Sequence, residues 1–193
     1  MEIGSDLNKS LDMISISSTQ FGYSEISFCF WILWKEASNS SRINILNTPE
    51  FSVWAEGSEG GIVIQLSGRR FLKVDLMFNQ WTHLCFSLKR NFVVYINGKF
   101  HTKSHIHSQT KVTSIGSVLF FGELNTGHNS INNEIVKFEI TEFYLMKRHL
   151  KQKDVGNFFP FNTGSRDYNY IITWYKIITH ALKRNMKLST IVL

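Results

Sequence analysis

Residues 81–100 contain the feature that most restricts how this chain folds. Two runs rich in β-branched and aromatic residues, 81–88 and 92–96, follow each other closely, and the second ends at Asn97-Gly98. Such residues favour strands, and Asn-Gly accepts the positive φ angles at the corners of a tight turn. The stretch therefore predicts two antiparallel strands, the second of which turns back at Asn97-Gly98.

The rest of the chain repeats this pattern of short apolar runs separated by turn residues. Residues 27–34 are apolar at odd and even positions alike, which is typical of a central strand covered on both faces. Further strands are predicted at 13–16, 43–46, 51–55, 61–66, 71–76, 118–121, 135–145 and 170–174, and one helical turn within 147–155. Because strands do not alternate with helices, we predict an all-β antiparallel sandwich of two sheets.

The charge distribution divides the chain into a body and a tail. The net charge is +6, yet residues 1–134 hold 11 basic and 11 acidic residues, whereas residues 137–193 hold 10 and 4. We therefore predict one sandwich domain over 1–175 and a basic tail over 176–193, either disordered or helical from the apolar spacing in 177–188. A neutral body argues against a nucleic-acid partner.

Membrane and processing signals are sparse. The longest uncharged apolar run, 26–34, is far shorter than the roughly 20 residues of a membrane-spanning helix, and we identify no export leader before it. Asn8 and Asn39 begin Asn-x-Ser triplets, which accept glycans in secreted proteins. Cys29 and Cys85 each lie within an apolar run, a pattern typical either of a disulfide or of two buried thiols.

Several segments, taken in order, resemble the pentraxin domain over about residues 10–175. They are Phe28-Cys29-Phe30-Trp31 and the segments 51–54, 79–85, 94–99, 116–122 and 169–174. The resemblance implies a jelly-roll sandwich of the concanavalin A and laminin-G type, with a disulfide between Cys29 and Cys85. It also implies an extracellular protein, either secreted or part of a receptor ectodomain.

The chain departs from the pentraxin pattern in the signature motif and in the calcium-binding loops. The signature His-x-Cys-x-Ser/Thr-Trp-x-Ser/Thr is met at His83, Cys85 and Ser87, whereas Leu88 and Arg90 replace its last two positions. Calcium needs about six to eight oxygen ligands, and the matching loops retain only the candidates Glu123, Asn125 and Glu134.

We therefore expect a calcium-independent module that binds a protein or glycan partner, similar to pentraxin-like modules of adhesion-type G-protein-coupled receptors. The alternative is a calcium-dependent lectin that assembles identical chains into a ring.

Other groups of residues have side chains suited to metal binding or catalysis, but none of them makes a complete site. His101, His105 and His107 share strand parity, but no cysteine or carboxylate completes a zinc site. Glu139 and Glu142, three residues apart, should point to opposite faces of a regular strand, which argues against a glycosidase pair.

Asp75, His83 and Ser87 are the residue types of a hydrolase triad. The sequence around Ser87, however, does not match a nucleophile elbow. Tryptophans could line a sugar-binding face, although tryptophan in sandwich strands usually belongs to the core; these are Trp31, Trp34, Trp54 and Trp81. The sequence therefore predicts a binding protein and no enzyme.

Overall fold

The structure is a computed structural model that describes residues 2–3, 14–17, 25–36, 42–47, 51–56, 60–66, 69–105, 117–120, 122–123, 137–157 and 170–172. These residues form short strands and one helical turn. In chain order they are β1 Glu2–Ile3, β2 Ile14–Ser17, β3 Ile26–Glu36, β4 Arg42–Asn47, β5 Phe51–Glu56, β6 Gly61–Leu66, β7 Arg69–Asp75, β8 Trp81–Leu88, β9 Asn91–Ile96, β10 Lys99–His105, β11 Ser117–Phe120, β12 Gly122–Glu123, β13 Lys137–Met146, α1 Gln152–Val155 and β14 Tyr170–Ile172.

The described strands pair into two sheets. The first sheet has the order β1-β13-β3-β8-β9-β10, with β14 also paired to β13. The second has the order β2-β11-β4-β5-β6-β7, with β12 also paired to β4. All pairings between these strands are antiparallel. The predicted all-β sandwich is confirmed, and the ends of the predicted strands lie within two residues of the observed ones.

The predicted tight turn joins β9 to β10. Asn97 and Gly98 both have positive φ angles, 50° and 74°, which is why this dipeptide suits the two corners. The Asn97 side chain also accepts a hydrogen bond from the backbone N–H of His83 at 2.9 Å. The turn is therefore tied to β8 as well as to its own two strands.

One face of β3 supplies the core between the sheets. Every second residue of β3 points to this face, and each is at most 1% exposed: Ile26, Phe28, Phe30, Ile32 and Trp34. The Phe28 and Phe86 rings stack with centroids 4.6 Å apart, and Phe143 stacks against Phe30 at 5.8 Å. Burial of several large aromatic side chains makes this layer the main hydrophobic contribution to stability.

The opposite face of β3, here called the outer face, is partly covered by residues 147–157, the covering segment. Leu150 and Val155 from this segment are fully buried in one cluster with Cys29 and Cys85. Both faces of β3 are therefore packed, which explains why its sequence is apolar at odd and even positions. The disulfide lies in this outer layer and not between the sheets.

A β-bulge bends β13, where the apolar positions of the sequence change parity between Ile140 and Phe143. The register with β3 shifts between Thr141 and Tyr144, and Glu142 has a φ angle of 52°. Beyond the strand, α1 forms within the predicted helical region, and the Asp154 carboxylate accepts the Lys151 N–H at 2.9 Å. The covering segment follows directly after β13, which ends at Met146.

Several predicted features lie outside the described residues. They are the basic tail 176–193 with its candidate helix, and the candidate glycosylation sites Asn8 and Asn39. In the part of the chain that the structure describes, no helix has the length and apolar character needed to span a membrane.

Candidate functional site

The outer face of the first sheet carries the candidate site. Strand register places Cys29 opposite Cys85, Trp31 opposite His83, and Leu33 opposite Trp81. Because side chains alternate along a strand, all of these point to the same face. The covering segment lies over the cysteine end of this face, and half-exposed side chains occupy the other end.

The disulfide end is closely packed. Cys29 and Cys85 are joined by a disulfide with their Cα atoms 4.2 Å apart. The Nε2 atom of His83 lies 3.7 Å from the Cys85 sulfur, and its ring centroid lies 5.1 Å from that of Trp31. Burial lowers the pKa of His83 to about 4, so this imidazole is neutral at physiological pH.

A cluster of hydroxyl groups attaches the covering segment to the sheet. The buried Ser27 and Ser87 hydroxyls lie 2.8 Å apart, and the Ser87 oxygen lies 2.7 Å from Nδ1 of His149. Ser27 donates to the Arg148 carbonyl at 2.6 Å, and the Leu150 N–H donates to Ser87 at 2.9 Å. Polar groups beneath the segment are thereby satisfied, as burial requires.

An ion pair lies at the edge of this hydroxyl cluster. Glu25 pairs with Lys89 and also accepts the backbone N–H of His149 at 3.2 Å. The hydrogen bond from Lys89 is the main cause that lowers the pKa of Glu25. The pKa of His149 is lowered chiefly by its burial. The cluster therefore places a neutral imidazole beside an ionised carboxylate.

The open end of the face combines an aromatic side chain with an ion pair. Glu139, Leu33 and Trp81 form one row across β13, β3 and β8. Leu33 and Trp81 are half-exposed, whereas the Glu139 side chain is buried and paired with Lys35. The second carboxylate oxygen of Glu139 is also buried and has no hydrogen-bond partner among the described residues. The row thus combines a half-exposed apolar surface with a buried carboxylate.

The bulge changes the expected arrangement of Glu139 and Glu142. Their placement on opposite faces assumed an unbroken strand, and that assumption is wrong. The Glu142 carboxylate accepts the hydroxyl of Tyr144, which pairs with Cys29 and so belongs to the outer face. The two carboxylates nevertheless bind different partners, Lys35 and Tyr144.

The candidate triad of Asp75, His83 and Ser87 is not assembled. Asp75 is exposed at the end of β7 in the second sheet, where it pairs with Lys73 at 3.0 Å. Ser87 bonds to His149 and not to His83. His149 was missed in the sequence because it lies 62 residues from Ser87, with no motif connecting the two.

The four tryptophans occupy different environments. Trp34 belongs to the core between the sheets, and Trp54 is buried in the second sheet. Trp31 is buried beside His83 on the outer face, so the half-exposed Trp81 is the one that can meet a ligand without rearrangement.

Metal-binding residue types coincide at one place among the described residues. The ligand atoms of Cys29, His83 and Cys85 all lie within 4.8 Å of one another. The disulfide bond, however, uses both sulfur atoms. His101 is exposed on β10, which ends at His105, and the third histidine, His107, lies outside the described residues.

The calcium candidates are only partly described. Glu123 lies in β12, where its backbone pairs with Ile43, whereas Asn125 and Glu134 lie outside the described residues. The fit of this set to calcium therefore stays a prediction.

The chain resembles known proteins at the level of domain and fold. The family model described as the concanavalin A-like lectin/glucanases superfamily matches residues 8–156. No curated protein sequence matches the chain.

Among solved structures, the binding domain of botulinum neurotoxin serotype C1 superposes with a TM-score of 0.64 at 17% identity, covering 83% of this chain and 43% of that one. The serotype G binding domain gives 0.60 at 15% identity, with coverages of 88% and 47%. The chain thus spans less than half of these structures, and at such identities the similarity shows the fold alone.

Proposed function

Because this chain belongs to the concanavalin A-like lectin/glucanases superfamily, we propose that it is an extracellular recognition module that binds a glycan or protein partner. The similar toxin domains support a binding role, since the serotype DC domain is described in complex with rat synaptotagmin II and in complex with SialylT. The disulfide supports an oxidising, extracellular location.

The row of Glu139, Leu33 and Trp81 is the observation that carries this proposal. A half-exposed indole offers a flat apolar surface with a polar N–H at its edge. The Lys35 ammonium, two residues along β3 from Leu33 and 33% exposed, supplies a hydrogen-bond donor beside the row. A sugar ring has apolar C–H faces and hydroxyl groups around its rim, so a glycan matches both features, and we favour it over a protein partner.

We propose that binding involves no catalysis and no calcium. A glycosidase needs two carboxylates on either side of one bond, whereas Glu139 and Glu142 bind separate partners. The calcium candidates Glu123, Asn125 and Glu134 are too few for a calcium cage. A melting temperature unchanged by millimolar calcium is the expected result, and a clear increase would favour the ring-forming lectin.

We further propose that the chain is a divergent pentraxin-like module of the type found in adhesion-receptor ectodomains. The retained His83, Cys85 and Ser87 motif and the degenerate calcium loops support this assignment. The domain would occupy residues 1–175, with 176–193 as a separate basic tail.

An array of defined oligosaccharides, probed with the intact chain, tests the glycan proposal. We expect binding to a subset of glycans and at least a tenfold loss of affinity in Trp81→Ala. Phe100→Ala is the matched control, because Phe100 is an exposed aromatic residue on β10, away from the row. Absence of binding to any glycan, or equal losses in the two variants, would contradict the proposal.

A further inference from the structure

We propose that the reduced form of this protein binds a zinc ion through Cys29, His83 and Cys85. This inference goes beyond glycan recognition and does not depend on it. It concerns the protein after its disulfide has been opened in a reducing environment.

The sheet register brings the three ligands together. Cys29 and Cys85 stand directly opposite each other on β3 and β8, and His83 precedes Cys85 by two residues on the same face. All three side chains are at most 2% exposed. A single rigid sheet therefore holds the ligands at neighbouring positions, without help from a mobile loop.

The distances are close to those of a zinc site. Tetrahedral zinc, with bonds of about 2.3 Å to sulfur and about 2.1 Å to nitrogen, separates its ligand atoms by roughly 3.5–3.8 Å. The Nε2 atom of His83 lies 3.7 Å from the Cys85 sulfur, and all three ligand atoms lie within 4.8 Å of one another. Once the disulfide is opened, the two sulfurs must separate by rotation of the Cys29 and Cys85 side chains before zinc can lie between them.

The charge of the occupied site suits its burial. Two thiolates carry a charge of about −2, which is costly in an apolar layer lined by Leu150 and Val155. A divalent zinc ion cancels that charge, and the histidine ligand is neutral when bound. Two thiolates and one imidazole are also the protein ligands of known three-ligand zinc sites, which leave a fourth position for water or another ligand.

The chemistry requires a dithiol as the external reductant. One external thiolate attacks a sulfur of the Cys29–Cys85 bond, and its second thiol completes the exchange. The external dithiol is oxidised to a cyclic disulfide, and the protein gains two electrons and two protons as two thiols. Zinc then displaces both thiol protons into solvent as it binds. The covering segment must open for the reductant and the metal to reach the cysteines.

Titration of the reduced chain with cobalt(II), a spectroscopic substitute for zinc, tests this site. We expect one cobalt ion per chain, with thiolate-to-metal charge transfer and the intense visible bands of tetrahedral coordination, all abolished by zinc. The oxidised protein should show none of these bands. His83→Gln should weaken cobalt binding at least about tenfold, whereas His101→Gln, on the exposed β10 strand, should leave it unchanged.

Folding is measured in parallel, because reduction alone could destabilise the domain. Zinc should raise the melting temperature of the reduced protein and leave that of the oxidised protein unchanged. If the reduced chain is unfolded without metal, zinc should restore its β-sheet circular dichroism. Absence of a cobalt spectrum in the reduced protein, or equal affinities of His83→Gln and the unaltered chain, would overturn the proposal.

Discussion

His149 Nδ1 lies 2.7 Å from the Ser87 hydroxyl, joining the covering segment to a strand 62 residues earlier in the chain. The hydrogens in this cluster can be counted. The Arg148 carbonyl can only accept, so it takes the single hydroxyl hydrogen of Ser27. Ser87 must then donate to Ser27, and the contact between Ser87 and His149 requires a hydrogen on Nδ1.

We therefore predict that neutral His149 carries its hydrogen on Nδ1. Long-range ¹H–¹⁵N spectra distinguish the two imidazole tautomers and should show a protonated Nδ1 in His149. Ser87→Ala removes the acceptor and should shift the population towards the Nε2–H tautomer. A predominant Nε2–H form in the unaltered protein would contradict this hydrogen assignment.

Ser87→Ala should also lower the free energy of unfolding by about 1–3 kcal/mol, because the Leu150 N–H loses the nearer of its two buried acceptors and keeps only the Ser27 hydroxyl at 3.3 Å. Chemical denaturation measures this loss. Ser52→Ala is the control, since Ser52 is half-buried and its hydroxyl makes one long contact of 3.4 Å with Gln65. The control should change stability by less than about 0.5 kcal/mol, and equal losses would show that the hydroxyl cluster has no special role.

Leu150→Ala should expose the disulfide to reductant. Leu150 is fully buried in the same cluster as Cys29 and Cys85, so its truncation should cost about 2–5 kcal/mol. Local opening of the covering segment should become easier, and dithiothreitol should reduce the disulfide several times faster. Thiol release over time measures this rate. Lys151→Ala, at the exposed neighbouring position, should leave the rate unchanged.

Stability should fall as the pH is lowered below about 6.5, with a contribution from His149. Burial holds the pKa of His149 below its ordinary value of 6.5. The unfolded chain consequently binds a proton at a higher pH than the folded chain, and acid favours unfolding. Denaturation midpoints at pH 7.5 and 5.5 should differ less in His149→Gln than in the unaltered protein. An identical pH dependence in both proteins would exclude this contribution.

The turn residue Asn97 combines two effects that substitution can separate. Its φ angle is 50°, and its side chain accepts the His83 N–H at 2.9 Å. Asn97→Gly keeps the backbone freedom and loses only the hydrogen bond, whereas Asn97→Ala loses both. We expect the alanine variant to be less stable than the glycine variant by about 1 kcal/mol. Equal stabilities in thermal unfolding would mean that the positive φ angle costs alanine nothing here.

Much of the fold is encoded locally and could be predicted. Strand composition located β8 and β9, and the positive φ angles of Asn97 and Gly98 match the turn that this dipeptide favours. The apolar character of β3 on both parities correctly indicated that both of its faces are covered. The prediction that Glu139 and Glu142 point to opposite faces was wrong, because a bulge adds one residue to β13 and interrupts the alternation of its side chains.

The candidate sites were less predictable, because they depend on contacts between distant segments. Trp34 and Trp81 each stand at one end of an apolar strand run, yet Trp81 is half-exposed and Trp34 is fully buried. Likewise, Ser27 carries no local signal for its bond to the Arg148 carbonyl, 121 residues away. The type of a side chain shows whether it is suited to burial. The order of the strands in the sheets decides which neighbour covers it.

The sequence by itself determined the strands, the Asn97-Gly98 turn and the two-faced burial of β3, since backbone preference and alternating polarity act over a few residues. Tertiary structure alone decided that the covering segment lies over Cys29 and Cys85, and that Glu139, Leu33 and Trp81 form one row. The reason is physical. Register between strands distant in the chain is set by the packing of whole faces, and no short segment contains that information.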